Sequence, residues 1–129
     1  MIEEFIKEEE AVDLYRIGYR GDTFAWYNFG RIEIFGHDMI LDGYAGECPE
    51  RPFAPTYENA FRWLVKEFGY EFEICVERGL WRNSGFFFEA TLKSMKFADV
   101  SLGQFENRKD AEQALLRKAI AIAGKSFGL

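Results

Sequence analysis

The alternation of apolar and polar positions changes period several times along the 129 residues, and each change marks a predicted element. From residue 2 to 15, Ile2, Phe5, Ile6, Val12 and Leu14 or Tyr15 fall on one imperfect helical face, which predicts an N-terminal helix with Glu8-Glu9-Glu10 as its solvated side. Between Asp22 and Asp42 the period drops to two: Phe24, Trp26 and Asn28 alternate with Ala25 and Tyr27, and Glu33 lies between Ile32 and Ile34. Asn28-Phe29-Gly30 suits a short hairpin connection in which Gly30 takes a positive φ and closes a bulged turn.

Residues 43–55 hold all three prolines and two glycines, a composition that excludes helix or central strand. Tyr44 and Phe53 offer anchors, so the segment reads as an ordered crossing loop. Thr56 is then a predicted N-cap, Ala60, Phe61, Leu64, Val65 and Phe68 a buried stripe, and Gly69 a left-handed exit. Tyr70, Phe72, Ile74 and Val76 alternate with Glu71, Glu73, Cys75 and Glu77, which predicts a half-buried strand with an acidic outer face. A turn follows with Trp81 near its tip. The next strand has Phe86, Phe88, Ala90 and Leu92 on one side, and a third has Ala98, Val100 and Leu102 inward. Asn107 caps a last helix to about residue 123, with Ala111, Leu115, Ala119 and Ile122 on its apolar face. The expectation is one α+β domain over 1–129: N-terminal helix and hairpin 1–42, connector 43–55, and core 56–123, with helices packed on one face of an antiparallel sheet.

Composition narrows the function classes. Residues 1–49, 50–106 and 107–129 carry net charges of −7, −2 and +3, within a total of −6. Such a balance disfavours a general nucleic-acid or anionic-membrane binder, because phosphate neutralisation needs a basic surface. Cys48 and Cys75 form no CxxC pair and no Cys-based zinc knuckle. The start, Met-Ile-Glu-Glu, lacks a basic-then-apolar signal pattern, and no window is apolar enough to cross a bilayer, so a soluble cytoplasmic protein is expected. Fourteen Phe, six Tyr and three Trp suggest more rings than one core needs. The expected contact rings are drawn from Trp26, Tyr27, Trp63, Trp81 and Phe87.

Catalytic signals are sparse. His37, the sole histidine, stands beside Asp38 and could act as a general base oriented by Asp38 or Asp42. Glu71 and Glu73 share a strand face, as a glycosidase carboxylate pair would across a cleft. Cys75 lies on the same face and could react if His37 stood over it. No metal-ligand spacing, phosphate loop, serine elbow or dinucleotide fingerprint is present, so no metal or cofactor is expected.

Two resemblances add to this. The helix–strand–strand–strand–helix order over 56–123 resembles the double-stranded-RNA-binding domain, a likeness that implies phosphate contacts by Arg108 and Lys109 at the start of the last helix, with Ala111 at the family's small position. Glu112 stands where that family has lysine, and the turn from Arg78 lacks its Gly-Pro and histidine pattern. The stretches Tyr57-Glu58-Asn59-Ala60-Phe61-Arg62-Trp63-Leu64 with Phe68-Gly69, and Phe105-Glu106-Asn107-Arg108-Lys109-Asp110-Ala111-Glu112 leading into Leu116-Arg117-Lys118-Ala119, resemble small uncharacterised proteins of gut bacteria and their prophages, of the phage sandwich-domain type. That resemblance implies an accessory protein with no assigned catalytic residues. The leading expectation is therefore a domain acting through a protein partner or as a homodimer, with nucleic-acid binding second and a hydrolase centred on His37 third.

Overall fold

The computed structural model describes residues 5–21, 23, 25–34, 48–78, 85–125 and 128. Its elements run α1 (Glu8–Arg16), β1 (Ala25–Asn28), β2 (Arg31–Ile34), α2 (Tyr57–Phe68), β3 (Tyr70–Arg78), β4 (Phe86–Ser94), β5 (Phe97–Phe105) and α3 (Arg108–Lys125). This is the expected α+β order. β3, β4 and β5 form one antiparallel sheet in sequence order, and β1 and β2 form a separate hairpin. α3 lies across all three strands of the sheet, α2 covers β3, and α1 packs beside α3.

Local chemistry explains where the central elements begin and end. Thr56 Oγ1 accepts from Asn59 N–H at 3.2 Å, and Gly69 exits α2 in the left-handed region at φ 71°, which a Cβ would disfavour. Asn107 Oδ1 accepts from Asp110 N–H at 2.8 Å and so satisfies one of the open amides at the start of α3. Ala111, Ala119 and Ala123 are buried on α3 together with Leu115, Leu116 and Ile120; the small side chains let the helix axis approach the sheet.

Several expectations change in the fold. α1 begins only at Glu8; Phe5 and Ile6 are extended, Phe5 bridging Thr56 and Ile6 N–H donating to Pro55 C=O at 3.1 Å. Of the connector, residues 48–55 lie along β1: Tyr27 N–H donates to Pro52 C=O, and Ala54 N–H to Ala25 C=O, both at 2.9 Å; Tyr44 lies outside the described residues. Pro52 and Pro55 here supply only carbonyls, so their missing N–H groups cost nothing. The β1–β2 turn contains no bulge. Asn28 pairs with Arg31, and both Phe29 (φ 50°) and Gly30 (φ 87°) are positive, the two-residue loop whose twist matches the flanking strands.

β5 departs furthest from simple alternation. Its pairing with β4 shifts between Ala90 and Thr91 and again between Leu92 and Ser94, and Gly103 has φ 91°. Each extra residue reverses the inward parity. Phe97, Val100, Leu102 and Phe105 therefore face the core while Ala98, expected inward, is exposed.

The core joins both halves of the chain. Ile6, Leu14, Ile17 and Tyr19 belong to the same buried cluster as Leu64, Leu92, Leu115 and Ile120. Through it runs a chain of rings: Tyr19 to Trp63 at 5.0 Å between centroids, Trp63 to Phe68 and Phe68 to Tyr70 at 5.6 Å, and Tyr70 to Phe97 at 5.9 Å. Most rings among the described residues are thus buried or packed against the core.

Candidate functional site

Strand alternation on β3 and β4 sends Glu71, Glu73, Cys75 and Glu77, with Phe87, Glu89, Thr91 and Lys93, to the sheet face away from the helices. Lys93 Nζ lies 2.7 Å from Glu73 Oε2, and Cys75 Sγ donates to Glu73 Oε1 at 3.1 Å. The bond from Lys93, then that from Cys75, holds the Glu73 carboxyl below its ordinary range. The same hydrogen bond to Glu73, then burial, then the charges of Glu73, Glu77 and Glu89 push the Cys75 thiol up. A thiol kept protonated is a poor nucleophile. Glu71 and Glu73, for their part, stand side by side along one strand, without the facing geometry of a glycosidase pair. Alkylation of Cys75 by iodoacetamide near neutral pH is expected to be slower than that of a free cysteine peptide, and Glu73→Gln is expected to speed it. Mass spectrometry of the Cys75 peptide over time checks this; a rate at or above that of the free peptide refutes it.

His37 and Asp38 lie outside the described residues, as does Trp81. Among the described residues no group of His, Cys, Asp or Glu could hold a metal ion.

The basic start of α3 is already engaged. Arg108 Nε lies 3.1 Å from Glu112 Oε1, and Lys109 Nζ stands 5.4 Å from the centre of the Tyr57 ring. Arg78 ends β3 at the end of the sheet where α3 starts, as pairing of Arg78 with Phe86 and of Phe88 with Phe105 requires. Two acidic residues, Asp110 and Glu112, sit in the same part of α3.

Two of the expected contact rings are core residues. Trp26 is 2% exposed, and Trp63 is 8% exposed within the ring chain described above. Tyr27 is half-buried, its hydroxyl donating to Ile6 C=O at 2.7 Å, and Phe87 is half-buried opposite Glu77. Among the described residues the exposed large apolar side chains are others: Val76 and Phe86 on the β3–β4 ribbon, Met95 in the β4–β5 turn, Phe29 in the hairpin loop, and Val65 and Ile34. Val76 and Phe86 share the helix-facing side with Phe72, Ile74, Ala90 and Leu92, but β5 pairs with β4 only from Phe88 onward. The ribbon thus outruns both the third strand and the covering helices, and its inner face emerges into solvent.

A charged residue that pattern reading assigned to solvent is instead a hub. Glu10 is 2% exposed. Its Oε1 accepts from Lys7 N–H at 3.0 Å, closing the first turn of α1, and from the Tyr57 hydroxyl at 3.3 Å, while Oε2 faces Arg117 Nε at 3.8 Å. One carboxylate thereby ties α1 to α2 and α3. Only Glu8 and Glu9 of the acidic run are exposed. Burial, then the Glu10 charge and its hydrogen bond, raises the Tyr57 pKa well above the tyrosine norm. A proton held more tightly in the folded state gives stability that is present below pH about 10 and lost as pH rises above it. Melting curves through that range are expected to show a steeper alkaline fall for the native chain than for Tyr57→Phe. Equal slopes would contradict this account.

No helix among the described residues is long and apolar enough to cross a membrane. Comparison of the chain with protein-family models, with curated proteins and with solved structures finds no match.

Proposed function

We propose that the chain is a small protein-contact domain that binds its partner through the end of the β3–β4 ribbon. The observation that carries this is the exposure of Val76 (57%) and Phe86 (67%) on a sheet face on which Phe72, Ile74, Ala90 and Leu92 belong to the core or pack against it. Leaving such side chains wet forfeits roughly 1.5–3 kcal/mol for each that could be buried, a gain that a partner can recover. The chemistry around Cys75 supports the same reading, since the one thiol on the open sheet face is held in its unreactive form. Free thiols at Cys48 and Cys75 suit a reducing compartment, so we assign the contact to the cytoplasm. An accessory role of the kind implied by the resemblance to small prophage proteins belongs to the same proposal.

Immobilised protein is expected to retain a discrete set of proteins from cell extract. Val76→Ser/Phe86→Ser should lose that set, and Met95→Ser, in the turn at the far end of β4, should keep it. Retention unaffected by the double substitution overturns the reading. Sedimentation over a range of concentrations separates the two kinds of partner: a mass that doubles for the native chain but not for the double variant identifies a second copy.

A further inference from the structure

The two edges of the main sheet differ in what they offer a partner. β5 is interrupted by two register shifts and by the positive φ of Gly103, devices that blunt an edge. β3 pairs with β4 without interruption over nine residues, Tyr70–Arg78, and no described strand lies on its other side. An edge of this kind presents alternate backbone N–H and C=O groups in register for another strand. Resting on the protein-contact reading above, we infer that this edge takes up an extended segment of a different protein, in which basic and aliphatic side chains alternate, as a fourth strand.

Both halves of that alternation come from the faces of β3. On the side away from the helices stand Glu71, Glu73 and Glu77, with Glu89 on β4 behind them; the one cation among them, Lys93, lies opposite Glu71 and has its ammonium 2.7 Å from Glu73. Cationic side chains on an added strand fit beside Glu71 and Glu77, since opposite charges across strands attract. On the helix side, Ile74 is half-buried and Val76 exposed, so the intervening residues of the added strand are aliphatic and cover Ile74 and Val76. A second copy of the chain fits poorly. Antiparallel self-pairing centred on Ile74 would set Glu71 opposite Glu77 twice, and like charges directly opposite are destabilising. The acidic face thus rejects self-association while accepting a basic strand, which is specificity by charge.

The test uses the whole chain and a fluorescent nine-residue peptide of alternating lysine and valine, blocked at both ends. The expected result is binding accompanied by hydrogen-exchange protection of amides in residues 72–78. A peptide with the same side chains but N-methylated at every second residue, on the edge that would meet β3, should bind at least about tenfold more weakly, because it cannot complete the ladder. Glu71→Lys/Glu77→Lys, both at exposed positions, should lose the lysine peptide and gain one of alternating glutamate and valine. Equal binding of the N-methylated and unmodified peptides, absence of protection in residues 72–78, or indifference to the charge reversal each overturns strand addition. If extract capture still depends on Val76 and Phe86 in that event, the contact reading survives and only the inference about its mode falls.

Discussion

Leu115→Ala is expected to destabilise the protein by ~2–5 kcal/mol through lost transfer energy and the cavity left behind. Leu115 is fully buried near the middle of α3, the helix that lies across β3, β4 and β5 at once. Its flanking core positions, Ala111 and Ala119, are too small to swing into the space. α3 also packs against α1 and α2, so the backbone cannot easily settle into the gap. Urea denaturation should show a lower midpoint with an unchanged slope, because the surface exposed on unfolding is nearly the same. Lys118→Ala, at an exposed position of the same helix, should change stability by no more than about 0.5 kcal/mol. A loss below about 1 kcal/mol for Leu115→Ala would mean that α3 is not the central covering helix.

The second large effect is expected at Glu10. Glu10→Ala removes the acceptor for both Lys7 N–H and the buried Tyr57 hydroxyl, and bonds to a charged group are worth ~1.5–3 kcal/mol each. Allowing for partial rehydration of the Lys7 amide, the loss should be about 3 kcal/mol. Arg117 contributes little to that figure, since its side chain is 53% exposed and can turn into water. Arg117→Ala should accordingly cost about 1 kcal/mol or less. Glu10→Gln keeps an acceptor oxygen in place and should recover much of the loss. Thermal melts of the three variants at neutral pH check the order; an Arg117→Ala loss as large as that of Glu10→Ala would show the ion pair, rather than the hydrogen bonds from Lys7 N–H and the Tyr57 hydroxyl, to be dominant.

What the sequence disclosed follows from which interactions are local. Thr56, Gly69 and Asn107 act within a few residues of themselves, and the alternation from Tyr70 to Val76 is written in consecutive positions, so these elements could be read directly. α2 was harder to orient. Phe61, Trp63, Leu64 and Val65 are all apolar, so pattern alone leaves its rotation open, and the rings of Tyr19 and Phe68 draw Trp63 inward while Val65 turns out. The bulges of β5 have no pattern in the strand itself apart from Gly103, and they exchange Ala98 for Phe97 on the inner face. Glu10 was illegible for another reason: its partner Tyr57 is 47 positions away, and nothing within Glu8-Glu9-Glu10 distinguishes one carboxylate from the next. The proposed contact surface was half legible. Aromatic excess pointed to ring-mediated contact, but Trp26 and Trp63 serve the interior, and exposure at Val76 and Phe86 depends on where β5 and the helices stop, which only the assembled sheet determines.

The same separation in sequence bears on how the chain acquires its fold. The β3–β4–β5 meander joins neighbours through short connections, whereas seating α1 beside α3 brings together residues about a hundred positions apart. Contacts of long span come at a larger loop entropy before any favourable energy is returned, so the meander with α2 and α3 is expected to condense first and α1 to dock late. An element that docks late through a few anchors, chiefly Leu14, Ile6 and the Glu10 hub, is also the one most readily released from the native state. Amides of residues 11–16 should therefore exchange with solvent deuterium through a partial opening, at lower free energy than those in the middle of β4. The N-terminal helix would then be the region where proteolysis begins, and Glu10 the latch that sets how often it opens.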